Sequence, residues 1–433
     1  MTHNSNKLTS AEFSYLSMDL DRNFRMEVSV PDSIMAVEAV RFALVPPDGF
    51  ESERNWFKPR YASAIFETDE VIFGYNMVDI RILLSACDLK INIDYDFEMK
   101  APSGSRGTCD DIGKFMKKCL PEDSLVTHDF KNAVHDQWDF KPYGELIYSY
   151  TSEEDEKKKT FEIYHVAKPN ESFLAYLKRM QYCALWFIEG LSFTDTNDEC
   201  WHYFVLLEKV TNNGRVYYAS MGYCSVYDFY AYPDGIRSRI GQFFIFPPFQ
   251  KKGHGAKFLQ SVLNALRCEP RVLEITVEDP VNEFLKLRDF IDAKNCSGLS
   301  LFQPENLKGG FTNDMALEAL KKLKIHCKQA RRVYEILRLG CTNMFDKNEF
   351  KAYRLDVKRN IMKIYNIEQA DLEGIQGNLD MNVKNSLIKK DRSERYKVLQ
   401  EAFERLMQDY KPVVDRLKKM ESLPPAIFIG GSS

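Results

Sequence analysis

The stretch PPFQKKGHGAKFLQ, residues 247–260, places two prolines, a lysine pair and two glycines directly before a run of helical periodicity. A turn needs only one such residue. Between a strand and a helix, Gln250, Lys251, Lys252, Gly253, His254, Gly255 and Ala256 offer more. The first amides of a helix have no partner within it. Glycines at 253 and 255 leave those N–H groups unshielded, and the helix dipole and the lysines add potential that favours an anion. The product is a phosphate cradle. The same residues also read as a glycine turn beside solvated lysines, and G-x-G alone does not decide. A P-loop is excluded because G-x-x-x-x-G-K-[ST] is absent, and a dinucleotide fingerprint because its third glycine is missing.

A second cluster follows VLEITV (272–277): Glu278, Asp279 and Pro280. Proline stops the strand, so two carboxylates stand at its end, where one can accept a proton from a reacting group. The competing reading is an exposed acidic turn. Cys200 and Cys224 have no His–Asp arrangement to make either a nucleophile.

The elements around these clusters follow from periodicity. INIDYDFE (91–98) alternates as a half-buried strand, and FRMEVSV, AVEAVRFALV and VDIRILLSA also read as strands. APSGSRGT (101–108) reads as a loop and DDIGKFMKKCL (110–120) as a short helix. ELIYSY and TFEIYHV read as paired strands joined by a charged loop, TSEEDEKKK. A helix over 171–185 is expected with Asn170 as its N-cap. Asn213-Gly214 between WHYFVLLEKV and RVYYASMGY predicts a hairpin, CSVYDFYAY continues the meander, and SRIGQFFIF (238–246) is the strand entering the glycine loop. Ala256, Leu259, Val262, Leu263 and Leu266 predict a helix; VLEITV a buried strand; 282–291 a short helix. From about 305 the pattern is helical, with Gly340 expected to stop one helix and Pro412 to kink or interrupt the last. The layout is α+β, with helices on a mostly antiparallel sheet.

The 433 residues predict two or three domains, and 44% hydrophobic with 28% charged residues is a globular mixture. A net charge of -4 argues against direct DNA binding but allows acidic patches for a cationic partner. Ten scattered cysteines without C-x-x-C spacing predict neither a metal site nor a disulfide framework, and fit a reducing compartment. No apolar run is long enough to span a membrane, MTHNSNKLTS reads as no signal peptide, and the final residues read as a flexible tail.

Gln250-x-x-Gly253-x-Gly255 resembles the acetyl-CoA loop of the GNAT N-acetyltransferases. QFFIFPPFQKKGHGAKFL, VLEITVEDP, LKLRDF, WFIE, WHYFVLLEK, GYCSVYDFY, FETDEVIFGY and ARRVYEILRL together resemble the catalytic subunit of type B histone acetyltransferases, in islands across roughly residues 60–360. The resemblance implies a GNAT-type sheet flanked by helices (169–300), an N-terminal α+β domain (11–168) contributing to substrate binding, a helical C-terminal domain (301–420) and a tail (421–433). It implies acetyl transfer from acetyl-CoA to lysine amines in the N-terminal tail of free histone H-four. Glu278 is then the general base, with Glu189 and Asp279 as further acids. Backbone groups of Phe243, Phe244 and Ile245 would hold the acetyl and pantetheine arm, and residues 250–256 the diphosphate. Thr68, Asp69, Glu70, Trp201, Tyr227, Asp228 and Phe229 would hold the tail, although Thr68 departs from the usual spelling. Where the family often has a small polar cap after the E-D-P proline, this chain has Val281, leaving Asn282 to cap the next helix. A WD-repeat β-propeller histone chaperone as partner, and locations in nucleus and cytoplasm, are also implied. The alternatives are another amine substrate, or a non-catalytic histone-binding module.

Overall fold

The computed structural model describes residues 33–49, 53–66, 70–99, 109–122, 129–375, 392–419 and 424–425. FRMEVSV and the expected loop at 101–108 lie outside them, as do Thr68 and Asp69. Contacts group the chain into two interleaved units. One comprises Met1–Lys141, Asn170–Thr194 and Val210–Ser220, the other Pro142–Pro169, Asp195–Lys209 and Met221–Ser433. The chain changes unit between Pro169 and Asn170, beside the expected boundary at 168/169, and does not change unit at 300/301, because helices beyond 300 share the core under the sheet of residues 145–277.

In the first unit, β1 (Ser33–Met35) pairs with β3 (Val71–Phe73), while β2 (Val40–Val45), β4 (Tyr75–Ser85) and β5 (Ile91–Met99) form a three-stranded sheet. AVEAVRFALV is only half strand: Ala36–Ala39 is a helical turn, α1. Helices α2 (Ser63–Phe66), α3 (Ile112–Lys117), α4 (Phe130–Asp136) and α5 (Glu171–Ala184) complete the unit. Asn170 caps α5 as expected, its side chain accepting from Phe173 N at 2.9 Å.

The second unit is built on most of a six-stranded sheet, order β11-β10-β9-β8-β7-β6, whose residues Val210–Ser220 are grouped with the first. Its strands are β6 (Glu145–Glu154), β7 (Lys157–Val166), β8 (Trp201–Asn212), β9 (Arg215–Ala231), β10 (Gly235–Ile245) and β11 (Val272–Val277). Strand β11 runs parallel to β10, because helix α6 (His254–Cys268) carries the chain between them. The charged stretch TSEEDEKKK is not a loop. The hairpin turn is only Asp155-Glu156, with φ of 51° and 60°, and the register sets Glu153 opposite Lys158 and Glu154 opposite Lys157. Opposite charges across a ladder support strand where composition suggests loop. The predicted Asn213-Gly214 turn is present, with φ of 50° and 77°, and β9 then runs unbroken through CSVYDFYA to Ala231.

One face of this sheet packs on α6, α7 (Asn282–Cys296), the helical turn α8 (Pro304–Leu307), α9 (Asn313–Leu323), α10 (Cys327–Cys341), α11 (Lys347–Ile375) and α12 (Arg392–Lys418). Asn282 does not cap α7; Val281 occupies the cap position and makes no side-chain cap bond. Gly340 lies inside α10, which Thr342 ends by donating its N–H to Leu339 O and its hydroxyl to Arg338 O. Helix α12 continues through Pro412 because Tyr410, Val413 and Val414 are all buried beside it, offsetting a break of about 3 kcal/mol. Among the described residues all ten cysteines are free, no side-chain group suits a metal ion, and no helix is long and apolar enough to cross a membrane.

Candidate active site

Strands β10 and β11 stay paired only as far as Ile240 opposite Val277. The last bond between them runs from Glu278 N to Ile240 O at 2.9 Å, and there the strands part. Strand β10 continues to Ile245 beside β9 alone, after a bulge between Ile240 and Gln242. Phe246 N donates to Met221 O on the β9 side. Strand alternation therefore turns the backbone of Phe244 toward β9 as well, and that of Phe243 and Ile245 toward the opening. Of the three residues expected to hold the acyl arm, alternation leaves the backbone of Phe243 and Ile245 turned away from β9. The side chain of Phe243 packs between Phe258 and Phe284, on α6 and α7.

The glycine loop follows β10 through a 3-10 turn, Pro247–Phe249. Gln250 folds back, its Nε2 donating to Ile245 O at 2.7 Å. Gly253, with φ of 88°, is the N-cap of α6 and brings no side chain to its start. Among the described residues, the N–H groups of Gly253, His254, Gly255 and Ala256 have no acceptor. A Cβ on Gly255 would meet Leu287 at 3.5 Å and Ile245 at 3.6 Å, ordinary contact distances. The side chains divide differently from the backbone. His254 points inward and is buried, so only its amide faces the loop exterior. Lys252 lies 3.3 Å from Glu154, while Lys251, with φ of 61°, is exposed.

Glu278 and Asp279 are both exposed at the end of β11, Asp279 with φ of 30°. Register assigns Glu278 a face. Arg237 and Arg239 lie opposite Phe229 and Tyr227 on one side, and opposite Glu274 and Thr276 on the other. Directly opposed residues share a face, so the series Glu274, Thr276, Glu278 lies on the face of Tyr227 and Phe229. Trp201 joins them. Its ring is 5.0 Å from that of Tyr227 and within 3.4 Å of where a Cβ on Gly241 would sit, at the bulge. Tyr227 and Phe229 rings are 4.5 Å apart, and the Arg239 guanidinium lies 4.5 Å over Phe229.

Asp228 is not part of this row. It faces the opposite side of the sheet, accepting from Ser238 Oγ at 2.6 Å and lying 3.5 Å from His202 Nε2. Burial pushes its carboxyl up, but His202 and Ser238 outweigh that and hold it below its usual value. Behind His202, burial lowers the pKa of His165 to about 4. The acid that does serve the aromatic row is Asp198, which the sequence reading missed. Its hydrogen bond to the Tyr227 hydroxyl, more than burial, raises that phenol to about 12. The signal was present: Asp198 lies three residues before Trp201 and accepts from Cys200 N at 2.9 Å, an Asx turn leading into β8. Cys200 is exposed, and burial holds the Cys224 thiol far above its usual range.

Two expected acids belong to the first unit. Glu189 is exposed in the turn after α5, next to Gly190. Glu70 is committed locally: one carboxylate oxygen accepts from Ser63 N at 2.8 Å and Ala62 N at 3.2 Å, capping α2. It is thus a structural anchor rather than an open binding group. Glu70→Gln is expected to destabilise the first unit by about 1 kcal/mol, the usual value of a charged cap. Chemical denaturation followed by tryptophan fluorescence checks this; an unchanged midpoint contradicts the anchoring role.

Residues 33–189 match the family described as "Histone acetyl transferase HAT1 N-terminus", and 288–339 the one described as "Histone acetyltransferase type B catalytic subunit, C-terminal". The chain is 37% identical over 391 residues to a human "Histone acetyltransferase type B catalytic subunit", covering 89% of this chain and 92% of that one. A protein of the same description from Mus musculus is 36% identical, over 89% and 93% of the two chains. Among solved structures, an aminoglycoside acetyltransferase from an uncultured soil metagenomic sample aligns at a TM-score of 0.22 and 16% identity, over 30% of this chain and 83% of that one, too slight a likeness to argue from. The identity to curated relatives runs through both units and nearly the whole length of each, so this chain belongs to the family of type B histone acetyltransferase catalytic subunits.

Proposed function

We propose that the protein transfers acetyl from acetyl-CoA to lysine side chains in the N-terminal tail of free histone H-four, by direct attack with Glu278 as general base. The observation that carries this is the Glu278 N–Ile240 O bond at 2.9 Å, which holds an acid where β10 and β11 part and where the main chain of Phe243 and Ile245 becomes available. The unpaired amides at the start of α6 take the diphosphate. Donors on the open edge of β10 face the thioester oxygen as charge builds there.

Free lysine has a pKa near 10.4, so only about one amine in a few thousand is neutral at pH 7. Glu278 takes the ammonium proton; the neutral amine attacks the acyl carbon, a C–N bond forms, the C–S bond breaks, and the leaving thiolate takes up the second proton, which the attacking nitrogen sheds as it becomes the amide. Asp279 and Glu189 are auxiliary acids in this reading, available to pass the proton to solvent. The tail lies along the face of Trp201, Tyr227 and Phe229, whose rings suit lysine stems, with Asp198 and Glu278 supplying negative charge. Thr68 and Asp69 remain part of the proposed tail site. Family membership supports the histone substrate, and with it a WD-repeat β-propeller chaperone as partner and locations in nucleus and cytoplasm.

Radiolabelled acetyl-CoA offered to each purified core histone tests the reading. Label is expected on histone H-four and is expected to vanish when its tail is removed. Label on another histone alone contradicts the substrate assignment, and cofactor binding without label on any histone contradicts the enzyme.

A further inference from the structure

We propose that Glu154 is a positioning residue for the acyl donor, a buried carboxylate that clamps the diphosphate loop to the sheet from beneath. The proposal rests on the reading of residues 250–256 as a diphosphate cradle, and concerns how that cradle keeps its shape. The side chain of Glu154 is 8% exposed, at the end of β6. Its Oε1 lies 2.7 Å from His254 Nε2, and its Oε2 lies 3.3 Å from Lys252 Nζ and 3.8 Å from Lys159 Nζ. Lys159 is shared with Glu208 at 3.5 Å. The carboxylate thus grips the loop residue before Gly253 and the first helical residue after it.

His254 is enclosed on its other sides. Its Nδ1 is 2.8 Å from the Tyr150 hydroxyl, and its ring is 4.4 Å from that of Phe161. Burial lowers its pKa and favours the neutral ring, against the pull of Glu154. With Tyr150 donating to Nδ1, the ring proton sits on Nε2, the ring nitrogen nearer Glu154. Tyr150 and Glu154 are four residues apart on one strand and so share its face. The loop itself has left-handed backbone on either side of Lys252, with φ of 61° at Lys251 and 88° at Gly253. A segment with two such residues needs an external tie to hold its amides in one orientation.

A negative charge beneath an anion site is unfavourable if charge alone sets affinity. Removing it would release Lys252 for the diphosphate and tighten binding. The clamp predicts the opposite sign. The Lys252 ion pair is half exposed and screened, whereas the contact with His254 is buried, so loss of the clamp outweighs release of the lysine.

Initial rates of the full chain with acetyl-CoA, and with S-acetylpantetheine, which lacks the diphosphate, separate these effects. Glu154→Gln is expected to raise the acetyl-CoA KM about tenfold, to hold kcat within about twofold, and to leave the S-acetylpantetheine KM unchanged. Because both donors meet the same active fraction, partial misfolding cannot mimic that split. Should Glu154→Gln not fold, His254→Asn removes one strut and is expected to shift the same ratio in the same direction. An acetyl-CoA KM that stays put or falls overturns the clamp, and so does an equal rise for both donors. Wild-type enzyme that treats the two donors alike instead removes the diphosphate cradle, and the clamp with it.

Discussion

Glu278→Gln lowers kcat by about 10²–10³-fold at pH 7 and leaves the acetyl-CoA KM within about twofold. The two halves of this expectation have separate physical grounds. The amide keeps the shape of the acid, and its backbone remains tied to Ile240, so the parting of β10 and β11 is undisturbed. Among the described residues the Glu278 carboxylate makes no ion pair or hydrogen bond, so fold stability is unaffected. What is lost is the acceptor for the ammonium proton, equivalent to about 3–4 kcal/mol of barrier. The pH profile identifies the cause. Without a base, the rate follows the fraction of amine already neutral and climbs about tenfold per unit up to the lysine pKa near 10.4. A variant within about threefold of wild type at pH 7, or one whose residual rate ignores pH, removes Glu278 from the role.

What the sequence made legible was mostly local. Alternation and turn chemistry located the β8–β9 hairpin, and an unpaired helix start marked the glycine loop. Reading failed where the answer depended on which way a strand faces. Tyr227, Asp228 and Phe229 are contiguous in sequence, but a strand sends the middle residue to the opposite side, toward His202 and Ser238. Charge also misled. TSEEDEKKK has the composition of a loop, and its residues continue two strands because acids and lysines face each other across the ladder. That misreading concealed Glu154, whose carboxylate lies 2.7 Å from the buried ring of His254. Lys252 and Glu70 looked like available charges; each has a partner that only the folded chain supplies.

Gly255→Asp is expected to lower kcat/KM for acetyl-CoA by about 100-fold or more while leaving the melting temperature almost unchanged. A Cβ at this position fits, since it would meet only Leu287 and Ile245 at 3.5 and 3.6 Å. A carboxylate in the first turn of a helix also interacts favourably with the dipole, which offsets its partial burial. The same carboxylate accepts from the amides that serve the diphosphate and adds repulsion between like charges at close range. A loss of about 3 kcal/mol corresponds to the 100-fold change. Stability and affinity therefore separate, which simple damage to the fold would not produce. Gly255→Ala, adding only the methyl, is the control and should stay within about threefold of wild type. Calorimetric titration of the Asp variant with coenzyme A measures the effect without turnover. Wild-type affinity in that titration would mean that the diphosphate does not rest on the start of α6, and the loop would revert to a glycine turn beside two lysines.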